Sequence, residues 1–143
     1  MPGPKPTVVV HGLDHALAAA RAAAALGTAI RLGSGPAAAG YAGAAWFAEI
    51  VRAARRAHPD VPIDAVLDCG DSPGMVLAAL RRSVGTVRFA GSPAVRGKLE
   101  ALARAAGARI ETEAAAALDL AGEADPEAAC RRWLAAAGKP DPP

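Results

Sequence analysis

The sequence predicts an α/β domain built on a parallel sheet of about five strands. Three observations carry this. Short β-branched apolar runs alternate with longer stretches of helical periodicity from Thr7 to Thr112. The connections between the runs are too long for hairpins and call for crossover helices. Three strand-to-helix junctions also share one chemistry: Leu32-Gly33-Ser34-Gly35-Pro36, Asp68-Cys69-Gly70-Asp71-Ser72-Pro73 and Ala90-Gly91-Ser92-Pro93. In each, serine offers a helix cap and proline a first helical residue whose φ is already set.

Taken in order, Thr7 to His11 reads as the first strand, broken by Gly12, and a helix runs from His15 to Leu26 with Asp14 near its start and Gly27 as its stop. Thr28 to Leu32 is a second strand. After a glycine-rich passage from Gly33 to Gly43, helical spacing resumes at about Ala44 and puts Trp46, Phe47, Ile50, Val51 and Ala54 on one stripe. His58-Pro59 ends that helix, because a residue before proline is pushed out of the helical region. Ile63 to Asp68 is the third strand, Pro73 to about Ser83 a helix, and Thr86 to Ala90 the fourth strand. A helix from Pro93 to Ala106 is expected to bury Val95, Leu99, Leu102 and Ala106, and Ala108 to Thr112 forms the fifth strand. A short helical piece is expected around Ala114 to Leu120, followed by a helix capped by Asp125, with Pro126 first inside, to about Ala137.

The 143 residues suit one domain, with proline-rich and loosely held ends at 1–6 and 138–143. Over a quarter of the chain is alanine, and only 3% is aromatic. Helix formation is thus favoured, while burial rests on Val, Leu, Ile and a few large side chains. Sixteen basic against fourteen acidic residues leave a net charge of +2, too balanced for a nucleic-acid partner. The apolar run after the start is interrupted by His11, Asp14 and Arg21, which excludes a signal peptide or membrane span. Cys69 and Cys130 fit no zinc or CxxC spacing, which points to reduced thiols and a cytoplasmic location.

Two architectures satisfy this alternation. The favoured one is a doubly wound, flavodoxin-like sheet in the order 2-1-3-4-5 with helices on both faces; the alternative is a consecutive half βα-barrel whose open edges need covering. In the doubly wound order a crevice opens between the first and third strands, the usual place for a ligand. The candidate ligand-binding residues are His11, Asp14, Ser34, Asp68, Cys69, Asp71, Ser72 and Ser92, all at the carboxyl ends of strands or the helix starts that follow. Glycine and free helix N–H groups at such a rim suit a small anionic or phosphorylated metabolite. Gly33-Ser34-Gly35-Pro36-Ala37-Ala38 matches G-x-G-x-x-A, but it follows the second strand and lacks the acid about 20 residues on, so no dinucleotide cofactor is expected. Cys69 near a helix start is a candidate nucleophile, opposed by the neighbouring carboxylates Asp68 and Asp71.

Two short resemblances follow from these residues. Asp68 at a strand end, followed by Pro73-Gly74-Met75, resembles the phosphoacceptor region of two-component receiver domains, without that family's acidic pair after the first strand or its lysine after the fifth. His11-Gly12-Leu13-Asp14-His15 is similar to the histidine–aspartate–histidine turn of class II, zinc-dependent aldolases, with one residue more in the spacing. That likeness implies zinc or another divalent metal, held here by His11 and His15 with Asp68 completing the set. Two functions from different classes are therefore carried forward. One is binding of a small anionic metabolite at the rim. The other is a non-catalytic interaction or oligomerisation module, with a second copy of the chain as its candidate partner.

Overall fold

A computed structural model describes residues 5–138, and the two proline-rich ends expected to be loose lie mostly outside them. Six strands, β1 (Thr7–Val9), β2 (Ile30–Gly33), β3 (Ile63–Asp68), β4 (Thr86–Arg88), β5 (Arg109–Glu111) and β6 (Ala117–Asp119), form one sheet. Every pairing is parallel, and the order is β5-β4-β3-β2-β1-β6. The helices are α1 (Leu13–Leu26), α2 (Ala38–Tyr41), α3 (Ala44–Ala57), α4 (Pro73–Arg81), α5 (Pro93–Ala105) and α6 (Pro126–Ala137).

The α/β class and the parallel sheet stand as expected, whereas the strand order is the consecutive one. The doubly wound order 2-1-3-4-5 is replaced because β2 lies between β1 and β3, and the helices form a single row of neighbours α6, α1, α3, α4, α5. The reason is written in the strands. Residues in register alternate strictly between two faces: Val8, Leu32, Ala65, Leu67 and Val87 on one, and Thr7, Arg31, Asp64, Asp68, Thr86 and Arg88 on the other. Only the first set can bury itself against helices, and its members join the main core cluster. Val66, wholly buried but on the polar side, stands outside that cluster.

The polar face is concave. From Glu111 to Ala117 the chain takes only six steps, at most about 21 Å, yet a flat sheet of this width would separate its edges by about 24 Å. Arg31 on β2 also donates to Glu111 on β5 over two intervening strands, which a flat sheet would forbid. The sheet therefore curls toward a barrel, and residues 112–116 cross its open side. This crossing replaces the helical piece expected around Ala114 to Leu120, where β6 forms instead and pairs with β1.

Alanine explains the helical layer. Six alanines of α1 are buried, and their small side chains let it pack closely between α6 and α3. Leu102, expected inside, is 51% exposed because α5 is the last helix of the row. Among the described residues no helix is long and apolar enough to cross a membrane.

Candidate functional site

In sheets of consecutive βα units, side chains that act on ligands gather at the carboxyl ends of the strands. Here that end of the concave face holds a basin of about 200 Å³. Its floor is Thr7, Val9 and Gly33, its walls carry Ser34, Asp68, Arg88 and Asp119, and Ala114 and Ala115 of the crossing segment form one side. Gly33 keeps the floor low. A Cβ there would sit 3.3 Å from Thr7 Cγ2 and 3.4 Å from Val66 Cγ1.

A charge network holds the basin in shape. Arg31, only 9% exposed, is paired with Glu111. Arg88 lies 3.8 Å from Glu111 and 3.4 Å from Asp68 Oδ2, so β2, β5, β4 and β3 are linked in turn. Asp68 Oδ1 accepts from Ala37 N–H and Gly70 N–H, both at 2.9 Å. Ala37 is in the left-handed region at φ 52°, and this bond holds the loop after β2 against the turn after β3. Arg88 Nε is buried and has no acceptor.

The junction chemistry divides. Ser72 accepts from Met75 N–H and Ser92 from Val95 N–H, so both are helix caps. Ser34 is not: it accepts from Asp68 N–H at 2.9 Å and donates to Gly35 C=O, bracing β2 to β3. Among the sequence candidates, Ser34 and Asp68 meet in the basin, while Asp14, Asp71, Ser72 and Ser92 are not among its walls. The crevice expected between β1 and β3 does not exist, since β2 fills it.

Cys69 takes the opposite side of β3 from Asp68 and joins the helix-side core. Burial, then the Asp68 charge, pushes its thiol up to about 12, so it is no nucleophile at neutral pH. Cys130 is raised to about 11 by burial and then by Glu123 and Glu127. Neither cysteine is expected to react with iodoacetamide at pH 8 until the protein is unfolded in urea, as alkylation followed by intact mass will show. Fast labelling of the native protein would contradict this burial.

His11 engages β6 rather than Asp68. Its Nε2 meets Asp119 Oδ1 at 2.6 Å, and its backbone N–H donates to His15 Nδ1 at 3.0 Å. Asp119 is a site residue the sequence reading missed, because its segment was read as helical. Its pKa is lowered chiefly by the N–H of Ala121, then by the His11 hydrogen bond and the charges of His11 and His15, with burial opposing. A depressed carboxylate adds stability above its unfolded pKa, near 3.9, and loses it as pH falls through the lower folded value. Asp119→Asn should therefore flatten the acid limb of stability below about pH 4; an unchanged limb in urea titrations at stepped pH would contradict it.

With His11 engaged by Asp119 and Asp68 engaged by the loop amides and Arg88, the donors His11, His15 and Asp68 do not fit the zinc set implied by the aldolase-like turn. Among the described residues no three His, Cys, Asp or Glu side chains come together to hold a metal ion.

The chain is similar in fold to an aldolase. One such neighbour is the crystal structure of a putative fructose-1,6-biphosphate aldolase from Coccidioides immitis, with a TM-score of 0.63 and 26% sequence identity. The match covers 76% of this chain and 40% of that one, so the chain spans well under half of its neighbour's length. No family model and no curated protein matches the sequence.

Proposed function

We propose that the protein binds a small hydroxylated, phosphate-bearing metabolite in the basin at the carboxyl end of its curled sheet. The observation that carries this is the convergence of Ser34, Asp68, Arg88 and Asp119 around one concave space. Carboxylates accept from hydroxyl groups, and a guanidinium pairs with phosphate. The likeness to an aldolase named for a sugar phosphate supports the same ligand class. At about 200 Å³ the basin is below the usual 300–1,000 Å³ of drug-sized pockets, which favours a three- or four-carbon ligand over a hexose bisphosphate. Both cations are already paired, so a bound phosphate takes the place of a carboxylate at Arg88. Two buried free thiols support a reducing compartment.

The test is thermal melting with glycerol 3-phosphate, glycerol and inorganic phosphate at constant ionic strength. Glycerol 3-phosphate should raise Tm most, and Ala115→Trp, which fills the basin from an exposed segment, should abolish the shift while leaving the far-UV spectrum unchanged. No shift in the parent protein, or an equal shift in Ala115→Trp, would overturn the reading. A second reading, assembly with another copy of the chain, is favoured by the unpaired outer edges of β5 and β6 among the described residues and by half-exposed Leu102. A solution mass of one chain across the micromolar range would remove it.

A further inference from the structure

At the opposite end of the sheet, where α3 and α4 finish, lies a second cavity of about 220 Å³. Phe47, Val51 and Val84 give it an apolar floor, each of them buried, while Arg52, Arg55 and Arg82 stand around it. No carboxylate lines it. Glu49 pairs with Arg52 from outside, and Asp64, which shares the adjoining depression with Arg55, is held by Lys5 at 2.9 Å. Arg55 spends Nε and Nη2 on Ile63 C=O, and among the described residues Arg82 has no ion pair. Helix carboxyl ends favour cations, which accounts for arginine near this end of the molecule. It does not account for three arginines lining one hollow that has an apolar base and no carboxylate on its walls.

We propose that this cavity is a binding site for a small amphipathic oxyanion, an aromatic or aliphatic body carrying one phosphate or carboxylate. The body would lie on Phe47, Val51 and Val84, and the oxyanion would bridge Arg52 and Arg82, with the free Nη1 of Arg55 beneath. The site is separate from the basin and does not depend on the reading given for it.

Phenyl phosphate, inorganic phosphate and phenol are the probes, titrated into the full chain carrying Ala115→Trp so that the basin is filled, with binding followed through the amide resonances of Ser83, Val84 and Gly85. Phenyl phosphate should bind about tenfold more tightly than inorganic phosphate, the difference being the buried ring, and phenol should be weaker than phenyl phosphate. Arg52→Gln and Arg82→Gln change exposed side chains and should keep the fold, and each should weaken phenyl phosphate by about two- to fivefold. Benzoate binding with the same variant dependence would extend the site to carboxylates. Equal affinity for phenyl phosphate and inorganic phosphate, indifference to both substitutions, or shifts confined to other residues would overturn the proposal.

Discussion

Asp68→Ala is expected to lower the unfolding free energy by about 3–5 kcal/mol, because it leaves a partly buried guanidinium with Glu111 alone, at 3.8 Å, and strips two loop N–H groups of their acceptor. Asp68 Oδ2 faces Arg88, whose side chain is 15% exposed and whose Nε already lacks an acceptor. The same substitution frees the Ala37 and Gly70 N–H groups, and Ala37, at φ 52°, keeps only the bond its C=O accepts from Gly40 N–H. Asp68→Asn keeps a carbonyl for those two amides but no charge for Arg88, and should lose about 1–3 kcal/mol. Domains of this size have about 5–15 kcal/mol in all, so the alanine variant will be near the limit of folding at 37 °C. The measure is the urea midpoint at an unchanged slope. A loss under about 0.5 kcal/mol for Asp68→Ala would mean that the clamp between the two loops is not formed.

Phe47→Ala should cost a similar amount, about 3–5 kcal/mol. Phe47 is wholly buried and is among the largest enclosed side chains in the chain. Its helix also buries Ala44, Ile50, Val51 and Ala54. Repacking of its neighbours in a close-packed core fills such a vacancy only in part. Leu102→Ala is the matched control: at 51% exposure it should change stability by less than about 0.5 kcal/mol. Equal losses for the two variants in urea titrations would contradict the placement of the core.

Much of the fold was legible in the sequence because the relevant signals are local. The third strand at Ile63–Asp68 and the last helix from Pro126 to Ala137 are where the residues put them, since a β-branched run and an Asp-Pro cap act over a few residues. The strand order is a long-range property, but its sign was present. Asp64 and Asp68 alternate with Ile63, Ala65 and Leu67, and Arg88 sits beside Val87, a pattern that fits a sheet covered on one face. A doubly wound sheet would carry nearly continuous apolar strands. β6 was hidden by Ala117 and the three alanines before it, whose intrinsic preference is helix; pairing with β1 and the short crossing from β5 override it.

The site was legible in part for the same reason. Ser34 and Asp68 announce themselves at strand ends, whereas Arg31, Arg88 and Glu111 come together only through the curl of the sheet. Asp119 was unreadable without β6. The serines that looked most alike divide by context: those at 72 and 92 have a helix directly after them and cap it, while Ser34 has an extended turn after it and binds the next strand instead.

The most direct measurement is amide shift mapping of the isotope-labelled chain with glycerol 3-phosphate. Saturable shifts should cluster at Gly33–Ala37, at Asp68 and at Ala114–Asp119, three segments that contribute to the lining of the concave basin. Shifts gathered on the helical face, or no saturable shift at all, would contradict the assignment of the polar inner face as the binding surface.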